Sequence, residues 1–315
     1  MVDRLLPRDQ QGARSQQLLT VLLGDYWHLR TEPLPSAALV ALLHLFGVSA
    51  AAARAAVQRL ARRGFLVPRK VGRATLYAVS PMSQASVDAH VQILFRSHLS
   101  PAWDGTWTLV SYSLPEEQRG LRATLREQLR QARFGSIHDG LWVRPGDALP
   151  RVAEIRSAIQ PLGEGRIVAF SGARIAADDL NEFARTAFAL DDVATDYERF
   201  IERWAGDAAR VDRAGADAEP PVEPGEALLL RTSIMRDWRG LRHTDPMLPA
   251  ELLSDRVPFA RALEVCSTVY DGTGAAAEEA FRAVLRIHAP ELEAHVSHHT
   301  FAGYRHSAPE HPTGH

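Results

Sequence analysis

The chain has 315 residues, a formal net charge of −2, a hydrophobic fraction of 46% and one cysteine, Cys266. That length implies two or three domains with real cores, and a lone cysteine excludes an internal disulfide and fits a reducing, cytoplasmic setting. The opening stretch MVDRLLPRDQQGARSQQ lacks the apolar core of a signal peptide, and no apolar run approaches the roughly 18 residues that span a bilayer, so no membrane partner is expected.

The charge is unevenly spread. Residues 1–80 hold 11 of the 36 basic side chains and 4 of the 38 acidic ones, and no carboxylate occurs between Glu32 and Ser80. One part of the chain is thus suited to a polyanion and the rest is not.

The first predicted helix lies in ARSQQLLTVLLGDYW, where Leu18, Leu19, Leu22 and Leu23 recur at helical spacing. PSAALVALLHLFG is a second, with Ser36 as its expected N-cap and Gly47 as its stop. Ser49 then caps a third helix from Ala50 to Arg63. Ala53, Val57, Leu60 and Ala61 fall on one side of it. Arg54, Gln58 and Arg62 repeat every four residues on another, flanked by Arg59 and Arg63, so one face packs and the other presents long donors. Gly64 ends this helix. FLVPRK and ATLYAVS are β-type runs joined by a turn at Gly72, with Arg69, Lys70 and Arg73 around it. Helix, helix, tight turn, basic helix and hairpin is the order of a winged helix-turn-helix. In such a module the basic helix enters the major groove and the wing lies on phosphates. The candidate DNA-binding residues are therefore Arg54, Gln58, Arg59, Arg62, Arg63, Arg69, Lys70 and Arg73.

These residues resemble the PaaX-type repressors of phenylacetic acid catabolism, and the resemblance covers most of the chain. LLTVLLGDYW resembles the family's first-helix block ending in Gly-Asp-Tyr. ARAAVQRLARRGFL resembles its recognition helix, Val-Arg-Thr-Ala-x-x-Arg-Leu followed by Gly-Trp-Leu, with Arg54, Arg59, Leu60 and Gly64 matching and Ala53 and Ala55 departing. GRATLY resembles its wing.

SPMSQASVDAHVQILFRSH reads as a connecting helix. GTWTLVSYSLP is an expected buried strand, EEQRGLRATLREQLRQARFG an amphipathic helix with Leu121, Leu125, Leu129 and Ala132 inside, and GSIHDGLWVRPGD a strand. LPRVAEIRSAI and RIVAFSGA add a helix and a strand, suggesting a small ferredoxin-like sandwich. In the PaaX family the corresponding domain is similar to the nuclease subunit of CRISPR adaptation. That raises a rival function, metal-dependent cleavage of nucleic acid. Such a nuclease keeps a Tyr-Asp pair at the end of its first strand. This chain has Tyr112 followed by Ser113, and a hydroxyl is a poor substitute for a carboxylate around a hard cation.

Residues 178–212 read as one long helical region. RAGADAEPPVEPG is a polar loop. A helix follows with Leu230, Ile234, Trp238 and Leu241 on its packed side, stopped by Pro246 and Pro249. VPFARALEVCSTVY and AAAEEAFRAVLRIH are two more helices. WRGLRHTDPMLPAELL resembles a C-terminal signature of the PaaX family, with Arg239, Asp245, Pro246, Leu248, Pro249, Leu252 and Leu253 matching. The resemblance implies a CoA-thioester effector, phenylacetyl-CoA in the family, that releases the repressor from DNA. Arg239, Arg242 and His243 would meet its phosphates and Trp238 would stack on its ring. Six of the thirteen histidines lie in the last 25 residues. Spacing at His295, His298 and His299 permits zinc, but four closed ligands are not evident, and a solvated tail is expected.

The expectation is an α+β multidomain protein: a winged helix-turn-helix at 1–80, a connecting helix at 81–103, a ferredoxin-like domain at 104–175, and a mainly helical C-terminal domain at 176–315 with a disordered tail. It is expected to be a homodimeric, ligand-responsive repressor on double-stranded operator DNA, not an enzyme, with no cofactor and no metal. No nucleophile elbow, P-loop, dinucleotide fingerprint, HExxH or CxxC motif is present.

Overall fold

Helix α1 (Arg14–Tyr26) forms where Leu19, Leu22 and Leu23 share one side, and all three are buried in the computed structural model, which describes residues 14–96, 102–160, 166–216, 222–253 and 256–306. Strand β1 (Leu34–Pro35), α2 (Ser36–His44), α3 (Ala50–Arg62) and a hairpin of β2 (Leu66–Val71) and β3 (Ala74–Val79) follow. Ser36, expected as the cap of α2, is instead its first helical residue. Pro35 holds the cap position, and no side chain bonds there. The reason is non-local: Pro35 is already paired with Leu76 of β3, so the helix starts where the strand ends. The three strands run antiparallel in the order β1-β3-β2, which leaves β2 at an edge.

The chain divides into two compact units. The first comprises Met1–His98, Phe200–Gly240 and Arg261–His315. It holds α1 to α3, the small sheet, α4 (Pro81–Arg96) and most of the C-terminal helices. In that set, α8 (Leu190–Ala216) and α9 (Pro224–Thr244) each contribute to both units, as does α10 (Phe259–Gly272), whereas α11 (Gly274–His288) lies within the first. Tyr26 of α1 stacks on Phe281 of α11 at 5.1 Å between ring centroids. The long helix expected at 178–212 is two: α7 (Leu180–Ala187) stops at Phe188, and Ala189 takes a left-handed φ of 50° before α8 begins.

The expected solvated tail is corrected as far as His306. Pro290–His295 forms a 3-10 turn and Phe301–His306 a final helix, α12. Phe301 is almost fully buried, with its ring 4.5 Å from that of Phe95 on α4. An aromatic anchor outweighs the polar composition around it. The part of the expected tail beyond His306 lies outside the described residues.

The second unit comprises Leu99–Arg199 and Leu241–Ala260. Its chain order is β4 (Trp107–Ser113), α5 (Arg119–Gln131), β5 (Gly135–His138), β6 (Leu141–Pro145), α6 (Leu149–Ile159) and β7 (Arg166–Ala173), with all strand pairs antiparallel in the order β5-β6-β4-β7. GSIHDGLWVRP, expected as one strand, is the hairpin β5-β6, because Asp139 and Gly140 (φ 87°) make a turn inside it. Leu121, Leu125 and Leu129 of α5 and Val152, Ile155 and Ile159 of α6 pack on Val110 and Trp142 of the sheet. The opposite face carries Trp107 against Phe183 and Phe188. Gly135 is required there: a Cβ on it would sit 2.7 Å from the Ala187 carbonyl oxygen.

Candidate nucleic-acid interface

The basic surface starts with the cap of α3. Ser49 is extended, and its hydroxyl oxygen accepts from the Ala52 amide at 3.3 Å, which fixes where the helix begins and hence which side chains face in. Ala53, Ala56, Val57 and Leu60 are buried. They are mostly small, so α3 can lie close against α1 and α2. Arg54, Gln58 and Arg62 form the exposed stripe that four-residue spacing requires, and Arg63 is exposed beside them. Arg59 is only half-buried and leans toward the packed side.

Gly64 leaves α3 with a left-handed φ of 78°, and the chain turns directly into β2. Every residue of β2 after Leu66 is exposed, including Arg69 and Lys70. Val71 pairs with Ala74, so the loop is only Gly72-Arg73, and Gly72 supplies the φ of 58° that so tight a turn needs. Arg73 is exposed at its tip. The sequence-predicted set is thus assembled on two adjacent elements of one unit, a helix and the hairpin that follows it. No carboxylate lies in that stretch to neutralise it.

Comparison with known proteins bears on what this surface belongs to. Residues 14–82 match the family model described as PaaX-like protein, residues 100–184 the PaaX protein central Cas2-like domain, and residues 188–283 the PaaX-like protein C-terminal domain. The chain belongs to the PaaX family. Among curated proteins it is 24% identical over 265 residues to the transcriptional repressor PaaX of Escherichia coli (strain K12), spanning 82% of this chain and 80% of that protein. Among solved structures it is similar in fold to the uncharacterized protein Rv0674 from Mycobacterium tuberculosis. That match has a TM-score of 0.54 at 23% identity and covers 85% of this chain and 96% of the other.

In this PaaX-family chain the four residues expected to hold an effector are divided between the units, Trp238 and Arg239 in the first and Arg242 and His243 in the second. Trp238 is fully buried, with Phe200 and Phe301 against its ring. Arg239 is half-buried, and its Nε donates to Nε2 of His90 at 3.1 Å. Arg242 belongs to the other unit, buried and ion-paired with Asp245, where it also donates to the Tyr197 hydroxyl at 2.9 Å. His243 is exposed. Steps of three along an α-helix rotate by about 60° each, so Arg236, Arg239 and Arg242 fan out instead of converging.

Two residues that sequence reasoning passed over organise the first unit. Arg231 is fully buried in α9, donates to the backbone carbonyls of Tyr270 and His299, and lies 3.5 Å from the centre of the Tyr270 ring. Asp25, in the last turn of α1, is buried beside Arg231, Arg239 and the Tyr270 side chain. Burial pushes its carboxyl up to about 6 against the pull of the two arginines. Asp25 and Arg239 also line a small recess with Thr20, His90 and apolar Val87, Val91 and Phe95. His299 donates from Nε2 to the Gly24 carbonyl at 3.1 Å. Burial and the neighbouring His28 bring it down to about 4. The signal for Arg231 was a single arginine inside the apolar run ALLLRTSIM.

The histidines expected to permit zinc go to separate partners: His295 to Glu32 and His298 to Glu278. No group of three or more His, Cys, Asp or Glu suited to a metal occurs among the described residues. At the end of β4, Ser113 is exposed, and the Tyr112 hydroxyl accepts from Arg126 Nε at 3.1 Å. Among the described residues no helix is long and apolar enough to cross a membrane.

Proposed function

We propose that this chain is a DNA-binding transcriptional repressor whose residues 14–79 act as a winged helix, with α3 in the major groove and the β2-β3 hairpin on flanking phosphates. The observation that carries this is the exposed Arg54, Gln58 and Arg62 stripe on α3, followed in the chain by exposed Arg69, Lys70 and Arg73 on the hairpin, with no carboxylate between Glu32 and Ser80. The Escherichia coli relative, a transcriptional repressor, supports the same reading. Arginine and glutamine are the side chains that pair with guanine and adenine edges, so the stripe suits base readout, whereas the hairpin suits backbone contact.

The second unit, with its split β-α-β order, is read as a ferredoxin-like scaffold. A chain with one such reading helix gains specificity by pairing, so a homodimer on two half-sites about one helical turn or a multiple apart is proposed. The effector class is the family's, a CoA thioester acting on a catabolic operon. Of the four side chains considered for it, Arg239 and His243 are the ones not held in a fully buried cluster. Catalysis by the second unit is not proposed, since Ser113 stands where a metal-binding carboxylate is needed.

The test is selection of duplexes from a randomised pool, followed by titration of the enriched sequence with and without aryl-CoA. The proposal requires an enriched site with two-fold character, two chains per duplex, and release by aryl-CoA that Arg239→Ala blunts. No enrichment over random duplex contradicts the repressor reading. One chain per duplex contradicts the dimer. Indifference to aryl-CoA contradicts the effector class alone.

A further inference from the structure

The second unit gathers arginines where nothing in the fold calls for them. Arg133 follows the C-cap of α5. Its amide donates to the Arg130 carbonyl at 2.7 Å, and the Phe134 amide donates to the Leu129 carbonyl at 2.9 Å, a helix-ending loop whose turning residue is usually glycine. Arg133 takes that place with a φ of 64°. A side chain larger than glycine is strained there, so an arginine in that position costs stability without serving the turn.

The guanidinium group has company of its own sign. Arg144 stands on β6 opposite Thr108, two residues beyond Trp142 and so on the same face of the sheet as the α5-α6 core. Arg151 sits in the first turn of α6, where a cation opposes the helix dipole; the N-cap residue Ala148 offers no side-chain acceptor, and the Leu149 amide donates to Asp147 Oδ1 at 3.1 Å. Arg242 completes the group. Arg144, Arg151 and Arg242 each act on Arg133, and burial together with these like charges brings it down to about 10. Burial and Arg151 lower Arg144 as well.

Two members of the group already hold carboxylates. Asp245 takes Arg242, the Tyr197 hydroxyl at 2.5 Å and the Met247 amide at 2.6 Å. Glu154 takes Arg151 at 2.6 Å. Among the described residues, Arg133 and Arg144 have neither an ion pair nor a side-chain hydrogen bond, and both are half-buried. Gly135 pairs with Val143, so Arg133 and Arg144 stand at the same end of the β5-β6 hairpin. Two desolvated cations so placed, one of them on a strained backbone, form an arrangement that an anion would relieve.

We propose that Arg133 and Arg144, with Arg151 and Arg242 adding to the positive field, form a binding site for a small phosphate-bearing anion carrying at least two negative charges. Two forked guanidinium groups match the paired oxygens of a phosphate or diphosphate, which a chloride cannot bridge. The site lies wholly in the second unit and uses none of the α3 or hairpin residues, so it stands whether or not the chain binds DNA.

The experiment is thermal shift and titration calorimetry of the full chain with sodium pyrophosphate, against sodium chloride at matched ionic strength. Pyrophosphate should raise the melting temperature by several degrees at millimolar concentration, and chloride should not. Arg133→Gly and Arg144→Gln should each weaken pyrophosphate binding at least tenfold. Arg133→Gly gives the turn the residue it prefers, so its melting temperature without ligand should equal or exceed that of the parent, and loss of binding cannot then be blamed on unfolding. The proposal is overturned if pyrophosphate stabilises no more than chloride, or if both variants bind it as the parent does. It is also overturned if the variants alter only the salt dependence of duplex DNA binding, which would make these arginines backbone contacts.

Discussion

Helices α3 and α9 are both rich in arginine, and they differ in what surrounds the guanidinium groups. On α3, Arg54 and Arg62 stand in solvent in a stretch of chain with no carboxylate. On α9, Arg231 is sealed in the core between backbone carbonyls and aromatic rings, Arg236 pairs with Asp237, and Arg242 pairs with Asp245. The same side chain is a solvent-facing donor in one place and an internal strut in the other. What separates them is burial and acidic company. Removing an α3 arginine should therefore change binding and leave the fold intact, whereas removing a buried α9 arginine should do the reverse.

The largest effect is expected at Arg231. Arg231→Met strands the carbonyls of Tyr270 and His299 and leaves Asp25 without its nearest cation, which should cost about 3–5 kcal/mol in urea unfolding. A loss under about 1 kcal/mol would mean that this arginine is not the strut described here.

Next in size is a pair of opposed pH effects in the same core. The Asp25 carboxyl is raised from 3.8 to about 6, so the fold holds its proton more tightly than the unfolded chain does. Its stabilisation is present at low pH and lost as pH rises from 3.8 through 6. His299 is lowered from 6.5 to about 4, so its stabilisation is present above 6.5 and lost as pH falls toward 4. Each contributes up to about 3 kcal/mol, with opposite sign over the same window, so the two contributions oppose each other there. Asp25→Asn should expose a fall in melting temperature on acidification from pH 6.5 to 4, and His299→Gln a rise. Identical profiles in the parent and both variants would show that neither group is buried as described.

Smaller effects belong to the basic surface. Arg54→Ala should weaken binding to the selected duplex by about 1–3 kcal/mol with no change in melting temperature, measured by anisotropy and thermal melting together. Ser49→Ala should cost about 1 kcal/mol of stability, because the Ala52 amide loses its acceptor. An equal loss of stability in both variants would erase the distinction between a contact residue and a framing residue.

The basic surface was the most legible part of the sequence because its signals are local. A cap at Ser49, a four-residue arginine step and a glycine turn at residue 72 each act within a few residues of themselves. The features that escaped notice depend on distant partners. Strand β1 exists only because Leu34 and Pro35 meet Tyr77 and Leu76, and no two-residue run announces that. The tail folds back because Phe301 finds Phe95, some two hundred residues away. Arg239 and Arg242, expected to share one ligand, go to separate partners, His90 and Asp245. Burial of Asp25 has no local sign in the sequence, and that of Arg231 only its place inside an apolar run.

The central claim is that residues 50–79 meet a polyanion through exposed cations. Its most direct test is the affinity for duplex DNA measured across a salt series, for the parent chain and for Arg73→Ala. The account predicts a steep log–log fall for the parent, with a slope of about −3 or steeper, and a slope shallower by about one for the variant on every sequence tried. Affinity that does not change with salt, or a variant that follows the parent line, would contradict it.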